Sequence, residues 1–287
     1  MALPTAPILT WFDDNARDLP WRRGAGPWAV LVSEVMLQQT PVSRVLPVYA
    51  EWLARWPTPA DLAAEPAGAA VRAWGRLGYP RRALRLHAAA GAIVERHAGE
   101  VPSALDHLLA LPGVGSYTAR AVASFAFGQR HPVVDTNVRR VVARAVGGVA
   151  APGPPAEARD LAACAAWLPD DPADAAVFSA ALMEIGAVVC TARAPACSQC
   201  PLAAGCAWRR AGRPPYAGPV RRRQPWTGTD RQARGALLAV LRAADRPVAA
   251  AELAAAWTDA AQCRRALDGL VADGLVQPAA PGYRLPQ

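Results

Sequence analysis

Leu111–Tyr117 reads LPGVGSY, a glycine-spaced turn set between the helical patterns Ser103–Leu109 and Ser116–Phe127. Glycines at 113 and 115 permit a tight hairpin. The amides of such a hairpin, with the N-terminus of the helix that follows, can face a DNA phosphate. A plain helix–turn–helix corner would use the same residues, so the turn alone leaves both readings open. Its setting favours the first. Five helical patterns precede it, over Pro27–Gln39, Val42–Trp56, Ala67–Leu77, Arg82–His97 and Ser103–Leu109, and the chain that carries it is basic.

The pattern continues on both sides. Pro27 stands at a plausible first helical turn, and PWAVLVSEVMLQQ is apolar on most faces, which predicts a buried helix. Beyond the hairpin, helices are expected over Thr136–Val146, Glu157–Trp167 and Ala173–Val189. Prolines, 28 in 287 residues, fall mostly between these segments and act as stops. Residues 211–224 (AGRPPYAGPVRRRQ) have the composition of a linker. After it, Arg234–Arg242, Ala250–Trp257 and Ala260–Asp273 read as three short helices and GLVQPAAPGYRLP as two strands around a turn, a winged-helix pattern.

The formal net charge is +8, and all 31 basic residues are arginines; there is no lysine. Such a balance favours a polyanionic partner such as nucleic acid. The N-terminal residues lack a basic-then-apolar signal pattern, and no apolar run is read as long enough to cross a bilayer. A soluble, cytoplasmic, nucleoid-associated protein without a membrane partner is expected. Six cysteines in such a chain do not suggest a disulfide framework.

Four of the cysteines are clustered as Cys190-x6-Cys197-x2-Cys200-x5-Cys206. Four thiolates in so short a span can wrap a [4Fe–4S] cluster. A structural zinc site is the rival, although zinc sites more often use two close pairs. Cys164 and Cys263 stand alone and read as core thiols. Glu34 lies inside WAVLVSEVML, where burial would disfavour its ionisation and keep it protonated near neutral pH. The alternative is a narrow solvated stripe with Ser33 and Gln38. Asp135, in VVDTNVRRV, precedes a helix and is well suited to cap it; Asn137, Arg139 and Arg140 add polar groups at the same helix start.

The strings LPWR (Leu19–Arg22), SEVMLQQT (Ser33–Thr40), LGY (Leu77–Tyr79), LPGVGSYTA (Leu111–Ala119), VVDTNVRRV and the cysteine cluster together resemble the adenine DNA glycosylase family over roughly residues 10–210. The resemblance implies an all-α helix-hairpin-helix glycosylase fold. A six-helix barrel would span 21–130 and an iron–sulfur domain 1–20 with 131–211. A linker at 212–229 would lead to a winged-helix-like domain at 230–287. It further implies a monomeric enzyme that carries a [4Fe–4S] cluster on Cys190, Cys197, Cys200 and Cys206. Its partner would be double-stranded DNA with adenine mispaired with 8-oxoguanine or guanine. Glu34 would protonate the departing base and Asp135 would face the positive sugar, with Tyr117 and Asn137 positioning the site. Arg17 and Trp21 would line the adenine pocket, and Arg22 and Gln38 would contact substrate or DNA. Gln39 and Thr40 would face the opposite base, and Leu37 and Tyr79 would wedge into the stack. Gly113, Val114, Gly115 and Ser116 would hold the backbone.

The chain departs from the family's pattern twice. Pro80 stands where the family usually has a second tyrosine, and the last 60 or so residues are too short for the family's usual C-terminal lesion-reading domain. Endonuclease III shares the fold, but at the position of Tyr117 it has a lysine that forms a Schiff base with the sugar. With no lysine here, base removal without strand cleavage is implied. An oxidised-pyrimidine or thymine mismatch glycosylase on the same fold is the alternative activity. A redox-sensing transcription regulator is the non-enzyme one.

Overall fold

The structure is a computed structural model that describes residues 3–22, 24–218 and 226–287. The expected linker at 212–229 lies partly outside the described residues. In chain order the helices are α1 (Thr5–Asn15), α2 (Pro27–Leu37), α3 (Val42–Arg55), α4 (Pro59–Ala63), α5 (Ala67–Ala73), α6 (Arg81–His97), α7 (Leu105–Leu109), α8 (Ser116–Phe127), α9 (Thr136–Ala145), α10 (Glu157–Ala165), α11 (Pro172–Glu184), α12 (Ala207–Arg210), α13 (Asp230–Ala243), α14 (Ala250–Ala254) and α15 (Ala260–Ala272). The strands are β1 (Val248–Ala249), β2 (Gln277–Ala279) and β3 (Gly282–Arg284).

The chain forms two compact units. The first comprises residues 1–34, 103–110 and 114–219; the second comprises 35–102, 111–113 and 220–287. In the first, α1, α8 and α9 pack on α11 around Ile8, Val138, Val141, Phe178, Leu182 and Ile185. Asp171 begins α11 by accepting from Asp174 N, with Pro172 at the first helical position, where its missing N–H is not needed. The helix then widens into a π turn over Ile185–Val189.

Together these form one described helix, Pro172–Val189, that is long and apolar enough to cross a membrane by length and composition, correcting the expectation that no run reaches that length. Over half of it, 56%, is buried within the protein, as befits a core helix on which α1, α8 and α9 pack. Alanine at many of its positions lets neighbouring helices approach closely and makes the run more apolar without bulk.

In the second unit α4 and α5 pack along α6. Trp52, Trp56 and Trp74 are fully buried there, with Trp52 edge-on to both others at ring separations of 4.6 and 5.6 Å. The C-terminal residues add α13–α15 and an antiparallel sheet of order β1-β3-β2, the winged-helix arrangement that the pattern predicted, with one strand more. Here α13 starts at Asp230, capped by Thr229, four residues before the expected start.

This C-terminal part is bonded to α5. Arg72 donates to the carbonyls of Arg242 and Ala244, Arg242 donates back to the carbonyl of Val71, and Gly68 N donates to Pro286 O at 2.7 Å. A Cβ at Gly68 would lie 2.9 Å from that of Leu285, so only glycine admits the tail. Asp273, just beyond α15, pairs with both Arg81 and Arg234.

Candidate active site and cysteine loop

Glu34 sits on the part of α2 that belongs to the first unit, 5% exposed. Burial raises its carboxyl to about 7; the Tyr117 hydroxyl that donates to it opposes the rise, the charge of Asp135 adds to it, and Arg22 works against it. Tyr117, on the first turn of α8, is held well above the ordinary phenol range by burial and by both carboxylates, so it stays a donor. Its hydroxyl lies 4.0 Å from Met183 Sδ.

Asp135 does cap α9: Oδ1 accepts from Val138 N at 2.7 Å, and Oδ2 accepts from Asn137 Nδ2 at 2.8 Å. Burial nevertheless raises its pKa against these bonds and against Arg140. Capping and proximity to Glu34 are therefore properties of the same side chain, and the cap fixes where the carboxylate points. Asn137 in turn accepts from Arg140 Nη2 at 2.8 Å, and Arg140 also donates to the carbonyls of Gly186 and Cys190. The π turn brings Gly186 against Asn137, whose Cβ would lie 2.6 Å from any added there.

Sequence reasoning missed an ion-pair cluster built on a buried carboxylate. Glu184, fully buried at the end of α11, accepts from Arg17 N, Nε and Nη2 at 3.0, 2.6 and 2.8 Å and from Arg22 Nη2 at 2.8 Å. Those bonds overcome burial and hold it at about 2. Trp21 stands between the two arginines in a 3₁₀ turn, half-buried. The signal was in the sequence: Glu184 is the only acid in the apolar stretch 175–189, the argument that singled out Glu34.

In the second unit, α2 ends at Leu37, two residues before the expected end. Leu37 and Gln38 are half-buried and Gln39 is exposed with a left-handed φ of 57°. Thr40 does not match the expectation that it faces an opposing base: it is 6% exposed, with its hydroxyl donating to Leu77 O and accepting from Arg82. Tyr79 has a left-handed φ of 47° and is 52% exposed.

At the hairpin, Gly113 has φ 76° and a Cβ there would lie 2.5 Å from that of Arg85. Val114 is buried and Gly115 and Ser116 open α8, with Gly115 as an N-cap that supplies no side-chain bond.

The four clustered cysteines line one concavity with Val189, Pro195, Ala203, Trp208 and Arg144. Arg144 donates to Cys190 Sγ at 3.5 Å and to the carbonyls of Thr191 and Ala192, and its guanidinium lies 4.6 Å from the Trp208 ring centroid. Among the described residues no three metal-binding side chains converge closely enough to hold a single ion. Four cysteines lining one concavity, with no histidine or carboxylate among its lining residues, suit a soft multi-iron cluster better than one zinc ion.

Comparison with known proteins agrees with this geometry. The family model described as "HhH-GPD superfamily base excision DNA repair protein" matches residues 32–164, and the "iron-sulfur binding domain of endonuclease III" matches residues 190–206. The adenine DNA glycosylase of Mycobacterium tuberculosis is 57% identical over 282 residues, covering 97% of this chain and 92% of that protein. The chain belongs to the adenine DNA glycosylase family. This glycosylase is accordingly a base excision repair enzyme whose loop at 190–206 carries a [4Fe–4S] cluster. A thermostable thymine-DNA glycosylase superposes with a TM-score of 0.64 at 28% identity, covering 72% of the glycosylase and 95% of that chain. An endonuclease III in a non-covalent DNA complex does so with 0.62 at 25%, covering 73% and 95%. The fold is thus shared by enzymes named for different bases, and the choice of base rests on the site.

Proposed function

We propose that the chain hydrolyses the N-glycosidic bond of adenine mispaired with 8-oxoguanine or guanine in duplex DNA and leaves the strand intact. The observation that carries the proposal is Glu34, a buried carboxyl raised to about 7 and bonded by Tyr117, beside a second carboxylate, Asp135. An acid that keeps its proton at neutral pH can deliver it to N7 of a purine, an acceptor that a pyrimidine lacks. This favours adenine over thymine, the base named for one structural neighbour.

The target base must first leave the helix, at a cost of a few kcal/mol. Once it is in the pocket, the proton of Glu34 passes to N7, the C1′–N9 electron pair leaves with the base, and positive charge develops on the sugar. Asp135, oriented by Val138 N and Asn137, faces that charge. Water then adds to C1′ and loses a proton, as in glycoside hydrolysis by paired carboxyl groups. Glu184 keeps the guanidinium of Arg22 occupied, which limits its pull on the Glu34 proton. No lysine is present to form a Schiff base, so strand cleavage by that route is absent. Cys190, Cys197, Cys200 and Cys206 would hold the cluster, which when bound supplies a structural brace for the loop.

A glycosylase assay on duplexes with adenine opposite 8-oxoguanine, guanine, cytosine and thymine tests the reading. Adenine release from the first two, with strand breaks only after alkali, is expected. Release of thymine or of an oxidised pyrimidine in place of adenine would overturn it.

A further inference from the structure

Arg82, on the first turn of α6, is 6% exposed, and no carboxylate pairs with it among the described residues. Its guanidinium is instead spent on backbone and ring. Nη1 donates to the carbonyls of Val35 and Met36 at 2.8 and 2.9 Å, which closes the last turn of the helix that carries Glu34. Nη2 donates to Thr40 Oγ1 at 2.8 Å and to Gly78 O at 3.1 Å. The guanidinium carbon lies 5.1 Å from the Trp74 ring centroid and 5.7 Å from that of Tyr79. Trp74 Nε1 reinforces the same point, donating to Gly78 O at 3.0 Å.

One side chain therefore touches both segments that carry the wedge residues implied by the family resemblance: Leu37–Thr40, which it grips on either side, and Gly78–Tyr79, which it grips through a carbonyl and a ring. Each segment contains a residue other than glycine in the left-handed region, Gln39 in one and Tyr79 in the other, so neither conformation is one the chain would keep unaided. A lysine could supply one point charge here but not a planar fork reaching four acceptors. Burying a cation without a counter-ion is costly and, for fold stability alone, an apolar side chain would serve as well.

We propose that Arg82 is a positioning residue that locks the Leu37–Thr40 and Gly78–Tyr79 segments into one rigid wedge, so that both enter the duplex together when the target base is everted. Its role depends on the proposed function insofar as those segments meet DNA. Arg82 also supports the Tyr79 ring from beneath, in a chain with proline at position 80.

The test compares one protein on two substrates. Adenine opposite 8-oxoguanine must be pulled from a pair, whereas adenine opposite an abasic analogue has no partner to leave. With Arg82→Met, single-turnover release from the paired substrate should fall on the order of a hundredfold, the scale of loss when a reacting group is misplaced by about 1 Å. Release from the unpaired substrate should change far less, because little eversion work remains. The ratio between substrates in one preparation does not depend on how much protein is folded. Arg82→Lys should restore only part of the ratio. Equal losses on both substrates, or full rescue by lysine, would overturn the proposal.

A second readout needs no chemistry. With 2-aminopurine at the target position and Glu34→Gln as background, Arg82→Met should suppress the fluorescence rise on binding while DNA is still bound. An undiminished rise overturns the role of Arg82 whichever base the enzyme removes. Failure of the wild-type protein to release adenine, with the fluorescence effect intact, would count against the substrate assignment alone.

Discussion

Glu34 and Glu184 are both buried carboxyl groups on apolar helices, yet they settle on opposite sides of the ordinary carboxylate value. Burial pushes both up: at Glu34 the Tyr117 bond and Arg22 only partly offset it while Asp135 adds to it, leaving the carboxyl at about 7, whereas at Glu184 the bonds from two arginines overcome it and hold the carboxyl at about 2. For Glu34, the folded state keeps the proton while the unfolded chain loses it near 4.5, so its burial increasingly favours unfolding as pH climbs from 4.5 to 7. Glu34→Gln should therefore be nearly inactive yet gain stability over the wild type between pH 5 and 8, by up to about 3 kcal/mol. Thermal melts at the two pH values measure this, and a gain that does not grow with pH would contradict the assignment. By the same proton, wild-type single-turnover release should decline above pH about 7.

The sign reverses for Glu184. Its contribution is complete above pH 4.5 and is lost as pH falls toward 2, because the unfolded chain takes up the proton first. Glu184→Gln should cost about 3 kcal/mol at neutral pH, through the loss of a buried carboxylate that two half-buried arginines hold ionised, and should flatten the acid limb of the stability curve. Denaturant titration at pH 7 and pH 3 distinguishes this from a uniform loss.

At the scale of elements, periodicity revealed the long helices because their cores are spaced as helices require, and it fared worse where packing does the work. α4 has only five residues; its capping box, Thr58 with Asp61, is a local signal that apolar spacing passes over. α1 has a single fully buried side chain, Ile8, and its helicity depends on α11. β1 is two residues long and exists because β3 pairs with it. At the site, Glu34 and Asp135 were legible because a charge among apolar neighbours, or before a helix, is unusual locally. The grip of Arg82 was not, since Val35, Thr40 and Gly78 meet it only through folding. One element carries a removable strain: Ala98 ends α6 in the left-handed region at φ 53°. Ala98→Gly should raise stability by up to about 1 kcal/mol, visible as a small increase in Tm without change in activity.

For the whole molecule, the net positive charge is concentrated outside the C-terminal residues. Positions 230–287 hold seven arginines and six carboxylates, close to neutral within a chain of net +8. Asp273 spends its charge on Arg81 and Arg234, and the arginines at the junction, Arg72 and Arg242, are occupied with backbone carbonyls. The winged-helix-like part is thus built into the second unit. Gly68→Ala should loosen it, because the added methyl meets backbone at Pro286, and an overpacked contact costs about 1–3 kcal/mol. A lower Tm and faster proteolysis of the C-terminal residues would register that.

The bonding of Gly68 to Pro286 and of Arg72 to the end of α13 joins residues some 170 to 220 positions apart within one unit. Peptide continuity between residues 218 and 226 is then not what keeps the final helices in place. A protease site inserted there and cut after folding should yield two polypeptides that migrate as one species until denatured, and the same two pieces made separately should be able to find each other.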